Sequence, residues 1–368
     1  MQAAVLRNKE LIVDDIAEPE PTAGQVLAKV LACGICGSDL HAAKNIDSLA
    51  AQGIGEPSPK RGTLDPARDL VMGHEYCLEI IDLGPGDDHV SASGEPLKIG
   101  DRVGSLPMSV ARGVFQTVGY SNEMNGGYAE RIAVDARMCL PIATDVPTEL
   151  AALTEPLAVG EHAVAKSRLQ PDTVPLVVGC GPVGLAVIVA LRARGIGPII
   201  ASDFSPTRRA LAEHLGADLV IDPGAESPYD TWATMCWPEG VDRHDPFNGF
   251  AGITAKPNVI FECVGVPGMI ARVANGAQRG TRVIVVGVCM ESDQFEPFVG
   301  INKELELQFV LGYSVDEFSS TLEKISSASL PGIDALITGS VDLAATPQAF
   351  VDLADPEQHV KILVRPGD

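Results

Sequence analysis

The sequence predicts an α/β protein with two domains, one rich in β-structure and one built on a doubly wound parallel sheet. Length is the first observation, because 368 residues exceed what a single ordinary core accommodates. The second is an alternation of short β-branched runs with helical runs between residues 155 and 312, which is typical of βαβ units. The third is that short alternating segments in the first 150 residues are separated by Gly, Pro and Asp turns, as in antiparallel β-structure.

The β-rich region is predicted from segments in which apolar and polar residues alternate. Examples are "QVLAKVLA" (25–32) and "CLEIIDLG" (77–84), with turn sequences such as "GPGDD" and "IGDRVG" between the strands. Such a pattern indicates antiparallel, barrel-like β-structure. The tail after residue 312 returns to mixed helix and strand and ends in the apolar run "HVKILV". We expect this tail to pack back on the first domain.

The parallel-sheet domain is predicted from a strand, helix, strand series. "PLVVG" (175–179) and "PIIASD" (198–203) are the first two predicted strands, with the helical run "LAVIVALRARG" between them. The next helix is marked by Ser205 as N-cap, by a proline after it and by Gly216 at its end. Further strands are expected at "DLVID", "NVIFE" and "RVIVVG", and a helix is expected to begin at Ser227 in the long connection before the second of these.

Composition limits the classes of function. Asp and Glu number 49 against 27 Lys and Arg, a net charge of −22, and no basic run occurs, which excludes nucleic acid and anionic membrane surfaces as partners. Eight scattered cysteines favour reduced, buried thiols over a disulfide framework. No apolar run reaches transmembrane length and the first residues lack the pattern of a secretory signal, so a cytoplasmic protein is expected.

A glycine-rich turn lies between the first strand and the first helix of the parallel-sheet domain. "VVGCGPVGL" has the order G-x-G-x-x-G, which allows a tight turn and a close approach of backbone amides to a pyrophosphate. Asp203 closes the second strand, where a carboxylate hydrogen-bonds ribose hydroxyls and repels a 2′-phosphate, so NAD is favoured over NADP. Arginines just beyond it keep the NADP alternative open. The residues expected to contact the cofactor are Gly179, Gly181, Pro182, Val183, Gly184, Asp203 and Arg208.

Potential metal ligands occur at three distant places in the sequence. They are Cys36 in "CGSDLH", His74 and Glu75 in "GHE", and Glu155 in "TEPLAVGEH". Zinc accepts thiolate, imidazole and carboxylate, and a catalytic zinc needs about three protein ligands and one open position. The residues alone do not show that the three places meet. A buried thiol and a core histidine are the alternative interpretation.

The motifs resemble, in type and in order, those of the zinc-containing medium-chain dehydrogenases, the family of alcohol, polyol and threonine dehydrogenases. They run through nearly the whole chain as "GICGSDLH", "GHE", "GDRV", "GGYAE", "EPLAVGEHA", "GCGPVGL", "FECVG" and "VGV". The resemblance implies a GroES-like catalytic domain made of residues 1–154 and 313–368, and a Rossmann NAD-binding domain of residues 155–312. It also implies a catalytic zinc where the two domains face each other.

The resemblance also implies roles for single residues. Cys36 and His74 match the near-constant zinc ligands, and either Glu75 or Glu155 completes the zinc shell, a choice that stays open. Ser38 matches the residue that takes the substrate proton, and His41 matches the histidine that passes it on. Asp39 is interpreted either as the acceptor that orients His74 or as a turn-capping residue. Cys33 forms a C-x-x-C pair with Cys36 and is interpreted as a buried thiol.

Two departures from the family pattern are visible. Residues 104–130 contain none of the four cysteines with which many relatives bind a structural zinc, so one catalytic zinc and no structural zinc is expected. Residues 45–69 form a long Pro/Gly-rich loop, which we expect to border the substrate channel. The run "KELELQFVLGY" (303–313) resembles the strand that relatives use for subunit pairing, which predicts a homodimer or homotetramer.

The predicted function is NAD- and zinc-dependent oxidation of a secondary alcohol or polyol, a small-molecule substrate. The alternatives are the same chemistry on a primary alcohol, an aldehyde or an amino alcohol. Two further alternatives are a non-catalytic NAD-binding or structural relative and a zinc-free reductase of the same fold. The intact set of Cys36, Ser38 and His74 argues against both.

Overall fold

The computed structural model describes residues 1–53, 58, 60–86 and 88–367. The chain forms two compact units. The first contains Met1–Pro156, Val315–Ser329 and Ile333–Asp368, and the second contains Leu157–Ser314 and Leu330–Gly332. Strands and helices occur in both units, which confirms the predicted α/β class. Within the described ranges, every helix is too short or too polar to cross a membrane.

The strands and helices of the described residues are numbered in chain order. The strands are β1 Gln2–Arg7, β2 Glu10–Asp15, β3 Gln25–Gly34, β4 Glu75–Leu83, β5 Arg102–Ser105, β6 Met108–Ser109, β7 Gln116–Thr117, β8 Arg131–Asp135, β9 Cys139–Pro141, β10 Val174–Val178, β11 Ile200–Ser202, β12 Leu219–Ile221, β13 Asn258–Glu262, β14 Arg282–Val285, β15 Glu306–Phe309, β16 Ile337–Val341 and β17 Lys361–Val364. The helices are α1 Gly37–Lys44, α2 Ile46–Gln52, α3 Thr148–Ala152, α4 Thr154–Lys166, α5 Pro182–Ala193, α6 Pro206–His214, α7 Pro228–Cys236, α8 Met269–Gly276, α9 Pro297–Lys303, α10 Val315–Ser326 and α11 Thr346–Asp352.

The first unit is organised around a sheet in the order β16-β17-β3-β4-β5-β9, with β8 paired to β3. All its pairs are antiparallel except β16 with β17. Strand β3 lies in the middle, and Val26, Ala28, Val30 and Ala32 are fully buried on it. The C-terminal strand β17 pairs with β3, so the tail of the chain belongs to the same sheet as its beginning.

The register of three adjacent strands brings the ends of distant segments together. Gly34, the last residue of β3, lies opposite Glu75, the first residue of β4, and on its other side opposite Leu363 of β17. A Cβ at position 34 would lie 2.1 Å from Oε2 of Glu75, so a side chain there would displace this carboxylate. The segments that follow β3, precede β4 and begin β17 therefore meet at one edge of the sheet.

The second unit contains an all-parallel sheet in the order β12-β11-β10-β13-β14-β15. This is the order of a Rossmann domain, in which ligands bind at the carboxyl ends of the strands on either side of the reversal point, here β10 and β13. Its apolar core includes Trp232 and Phe261, both fully buried. The predicted N-cap Ser205 is confirmed, because its Oγ accepts from the amide of Arg208. The helix expected to begin at Ser227 is present as α7, and Oγ of Ser227 accepts from the amide of Asp230.

The long loop departs from its prediction in one respect. Residues 45–69 were expected to be irregular, but the segment begins with helix α2. The sequence "IDSLAAQ" contains good helix formers, and the prolines and glycines that suggested an irregular loop follow it. Residues 54–57 and 59 of this loop lie outside the described residues.

Candidate functional site

Cys36, His74 and Glu75 lie together in the first unit. One ligand atom from each, a sulfur, a ring nitrogen and a carboxylate oxygen, lie within 4.8 Å of one another. Cys36 follows β3 as the N-cap of α1, and His74 directly precedes β4, so the register of β3 and β4 creates the group. Among the residues that the structure describes, no other three side chains of these types bring their ligand atoms close enough to share a metal ion.

Asp39 contacts two members of this group, Cys36 and His74. Its carboxylate is fully buried, accepts the amide of Cys36 at 3.2 Å, and lies 3.4 Å from Nδ1 of His74. Burial opposes a charge on the imidazole, but Asp39 and Cys36 together outweigh burial and raise the pKa of His74 well above its ordinary value. Burial likewise opposes the charge on Asp39, yet His74 and two tyrosine hydroxyls lower the pKa of this carboxyl. The arrangement fits an aspartate that orients a metal-binding histidine.

Glu75 is paired with a buried lysine that sequence reasoning missed. Nζ of Lys361 lies 2.7 and 2.6 Å from the two oxygens of Glu75 and donates to the carbonyl of Ile35 at 3.1 Å. The two side chains are 2% and 1% exposed. Burial lowers the pKa of Lys361, but the charges around it, that of Glu75 foremost, together outweigh burial, and the net pKa is raised. The one sequence signal was a single charge inside the apolar run "HVKILV".

Glu155, the other predicted carboxylate, lies in the first turn of α4 and is buried. It lies outside the group of Cys36, His74 and Glu75, whose ligand atoms are within 4.8 Å of one another. Burial lowers the pKa of Lys361 most, and the charge of Glu155 is among those that raise it, after the charges of Glu75 and Cys36. Both candidate glutamates thus raise the pKa of one buried ammonium group, and Glu75 contacts it directly.

Ser38 and His41 lie on helix α1, three residues apart. Ser38 is partly buried, and its Oγ lies 2.9 Å from Oη of Tyr120. His41 is partly buried one helical turn further on, and its carbonyl accepts the amide of Asn45. Both residues follow Cys36 along the same helix, Ser38 two positions and His41 five positions after it.

Tyr120 is a second residue that sequence reasoning missed. Its hydroxyl also lies 2.8 Å from Oδ1 of Asp39, and its ring centroid lies 5.4 Å from that of His74. Burial raises the pKa of Tyr120 well above its ordinary value, and the charge of Asp39 adds to the effect. Nothing in the local sequence "VGYSN" signals this position, since it depends on how the segment folds against α1.

The glycine-rich turn connects β10 to α5 in the second unit. Gly179 has a φ of 94°, which favours glycine. A Cβ at Gly184 would lie 1.8 Å from the carbonyl oxygen of Gly179, so helix and strand approach too closely for any side chain there.

Gly181 is the N-cap of α5, and Pro182 and Val183 form its first turn. A Cβ at Gly181 would meet only Nη1 of Arg208, at 3.7 Å, so this position is open. The turn therefore has the space and the helix N-terminus that a pyrophosphate requires.

Asp203 lies directly after β11, beside this turn. Its carboxylate accepts the amide of Cys180 at 2.7 Å and that of Ser205 at 2.8 Å. Arg209 donates to the carbonyl of Asp203 and pairs with Asp222 at 3.2 Å. Nε of Arg208 is buried and has no hydrogen-bond partner within the described part of the chain.

The donor set at the first-unit site fits zinc. A thiol, an imidazole and a carboxylate are the ligand types that zinc binds, and three protein ligands leave a position open for chemistry. The turn in the second unit fits a dinucleotide, because two of its glycines leave no room for a Cβ and the third leaves the turn open.

Comparison with known proteins agrees with this chemistry. The family model of the alcohol dehydrogenase GroES-like domain matches residues 22–144, and that of the zinc-binding dehydrogenase matches residues 182–327. The chain is 30% identical to (R,R)-butanediol dehydrogenase of Bacillus subtilis (strain 168) over 100% of both chains. It is 28% identical to sorbitol dehydrogenase of the same organism, over 93% of this chain and 87% of that one.

A solved structure supports the same relationship. The crystal structure of 2R,3R-butanediol dehydrogenase from Bacillus subtilis superposes with a TM-score of 0.76 at 28% identity, and covers 99% of each chain. The predicted GroES-like and Rossmann architecture is therefore confirmed. The chain belongs to the zinc-containing medium-chain dehydrogenases, the family that the order of its motifs predicted.

Proposed function

We propose that this protein oxidises a secondary alcohol or polyol with NAD, and reduces the corresponding ketone in the reverse direction. The observation that carries the proposal is the group of Cys36, His74 and Glu75 with the hydroxyl of Ser38 on the adjoining helix. Relatives named butanediol and sorbitol dehydrogenase support a substrate with a secondary hydroxyl, and in particular a diol.

Cys36 and His74 would hold one zinc ion per chain, with either Glu75 or Glu155 as the third ligand. Zinc in such a site polarises the alcohol oxygen and makes its proton easier to remove. Asp39 orients His74, and Lys361 holds Glu75 at the edge of the site. Comparing the zinc affinities of Glu75→Gln and Glu155→Gln distinguishes the two carboxylates.

Ser38 would accept the proton of the alcohol, and His41 would carry a proton from Ser38 towards solvent. Removal of this proton must accompany departure of hydride, because a neutral ketone is the product. Positioned proton transfer contributes about 10²–10⁴-fold to rate. Ser38→Ala is therefore expected to lower kcat by at least two orders of magnitude while the zinc content stays unchanged.

NAD is the proposed cofactor, bound at the turn of Gly179 to Gly184. The carboxylate of Asp203 lies beside the turn, where it favours free ribose hydroxyls and repels a phosphate. Arg209 is already paired with Asp222, which weakens the NADP alternative. Arg208, next to the turn, keeps that alternative testable by comparing kcat/KM for NAD and NADP.

The long loop is proposed to contribute to substrate specificity. A cavity of about 260 Å³ in the first unit is lined both by loop residues, such as Arg61 and Leu64, and by the segment of Phe115, Gln116 and Tyr120. Because Tyr120 also contacts Ser38, this cavity is close to the proposed reacting group. Arg61→Ala is expected to alter the ranking of substrates without altering the zinc content.

The experiment that tests the function is NAD reduction by the purified protein over a panel of alcohols. The panel contains (R,R)-butanediol, sorbitol, threonine and ethanol. We expect the highest kcat/KM with a secondary diol or polyol. A preference for ethanol or threonine supports the primary-alcohol or amino-alcohol alternative, and no turnover by a zinc-loaded protein supports a non-catalytic NAD-binding relative.

A homodimer or homotetramer is also proposed. Strand β15 is the edge of the parallel sheet. The exposed apolar residue Phe309 lies on it and Leu311 follows it, while the exposed Phe298 and Ile301 lie on the preceding helix α9. An edge strand with exposed apolar side chains is suited to pairing with a second copy of itself.

A further inference from the structure

The hydroxyl of Ser38 has a fixed partner that the proposed proton route does not use. Oη of Tyr120 lies 2.9 Å from Oγ of Ser38 and 2.8 Å from Oδ1 of Asp39. The tyrosine lies between β7 and β8, within the cysteine-free segment of residues 104–130, and its ring packs on His74. The phenol of Tyr120 therefore contacts both Ser38, the proposed proton acceptor, and the carboxylate of Asp39, which lies beside His74.

The number of protons limits how these hydrogen bonds are directed. The phenol has a single proton, and an ionised carboxylate can only accept. When Tyr120 donates to Asp39, its oxygen can only accept, so Ser38 must donate to it. When Tyr120 turns its proton to Ser38, the hydroxyl proton of Ser38 is free to leave. Asp39 tolerates this change, because it keeps hydrogen bonds from Tyr128 at 2.6 Å and from the amide of Cys36 at 3.2 Å.

We propose that Tyr120 is a positioning residue of the proton step, which holds Oγ of Ser38 in place and donates to that oxygen while the serine lacks its own proton. The proposal rests on the proposed function. Ser38 gives one proton to His41 and takes one from the alcohol, so the serine ends as it began. The O–H bond of Tyr120 is not broken, and Tyr120 and Asp39 gain and lose no proton.

The structure supplies a matched comparison for this role. Tyr128 also donates to Asp39, but its second partner is the carbonyl of Gly34 at 3.2 Å rather than Ser38. Tyr120→Phe keeps the ring against His74 and removes both hydrogen bonds of the phenol. Tyr128→Phe removes a phenol from Asp39 and leaves Ser38 untouched. A role limited to holding Asp39 predicts the same outcome for both variants.

The test compares Tyr120→Phe, Tyr128→Phe, Ser38→Ala and the double variant of Ser38 and Tyr120. A hydrogen bond to a charged oxygen contributes about 1.5–3 kcal/mol, so Tyr120→Phe is expected to lower kcat about 10- to 100-fold. KM for the alcohol and the zinc content should stay close to the wild-type values, and the solvent deuterium isotope effect on kcat should rise. In the Ser38→Ala background the same substitution should change kcat less than twofold.

A second measurement does not depend on turnover. Ser38→Ala and Tyr120→Phe remove the same hydrogen bond from its two ends, so their shifts of the unfolding midpoint should not add in the double variant. This measurement also shows whether Tyr120→Phe folds.

Three results would overturn the proposal. The first is a loss of kcat that persists in the Ser38→Ala background. The second is an equal loss in Tyr128→Phe, with the same isotope effect as in Tyr120→Phe. The third is full additivity of the two midpoint shifts. A wild-type protein that oxidises no alcohol overturns the proposed function and this inference together, whereas an active wild type with an unaffected Tyr120→Phe overturns this inference alone.

Discussion

At the scale of single residues, some side chains of the site lie in recognisable sequence motifs and others do not. Cys36 and His74 could be predicted because each lies in a short motif whose residue types suit a metal. Lys361 and Tyr120 could not, because each depends on packing between segments far apart in sequence. The order of motifs therefore points to the proposed reacting groups and to Asp39, whereas Lys361 and Tyr120 become visible only in the folded chain.

The pair of Lys361 and Glu75 leads to a prediction about stability. Removing one partner of a buried ion pair leaves a charge without compensation, which costs about 3–5 kcal/mol. Lys361→Met is expected to lower the free energy of unfolding by that amount in chemical denaturation. Lys9→Met is the control, because the pair of Lys9 and Asp47 is exposed and such pairs contribute about 0–1 kcal/mol. Equal effects of the two substitutions would show that the buried pair has no special role.

At the scale of elements, the two departures from the family pattern contact each other. The long loop pairs with the cysteine-free segment, since the amide of Gly62 donates to the carbonyl of Phe115 and the amide of Phe115 donates to that of Lys60. Asn122 accepts the amide of Asp65 at 2.8 Å and donates to two loop carbonyls, at 3.2 and 3.1 Å. Hydrogen bonds to the loop thus hold the cysteine-free segment in place.

Asn122 should be central to this attachment. Asn122→Ala removes three hydrogen bonds and should lower the local stability by about 1–3 kcal/mol. We expect faster amide hydrogen exchange in residues 60–69 and 115–123, with an unchanged zinc content. Glu123→Ala is the matched control, because it breaks only an exposed ion pair with Arg68. Protection that is the same in wild type and Asn122→Ala would show that the loop is held by other contacts.

The elements themselves differ in how far the sequence specifies them. Helix α6 could be predicted because Ser205 and the following proline mark its start chemically. Helix α2 was missed, because it has no side-chain cap and precedes a stretch of prolines and glycines. Capping residues can be recognised in the local sequence, whereas the formation of a short helix without such a cap depends on its tertiary contacts.

At the scale of the whole molecule, the alternation of strands and helices predicts the parallel sheet, and the motif order adds the strand arrangement of the family. The contact of β17 with β3 joins the two ends of the chain, and it is specified by long-range pairing rather than by any local pattern. The proposed homodimer or homotetramer would form at the exposed edge strand β15.

This edge provides a prediction about mass in solution. Phe309 and Leu311 are 60% and 73% exposed, so a charge there is tolerated by the fold but not by an apolar interface. Phe309→Asp is expected to convert the wild-type oligomer to a smaller species in sedimentation equilibrium. Ile99→Asp, at an equally exposed apolar position in the other unit, should leave the mass unchanged. A monomeric wild type, or an unaltered mass of Phe309→Asp, would exclude this edge as the interface.

The central claim is that Cys36 and His74 hold the single zinc of a dehydrogenase, and the most direct test is the zinc content of three purified proteins. Cys33 provides the matched control, since it lies three residues from Cys36 and is fully buried outside the ligand group. We predict one zinc per chain in the wild type, one in Cys33→Ala and almost none in Cys36→Ser. Zinc retained by Cys36→Ser, or two zinc ions per wild-type chain, would contradict the account.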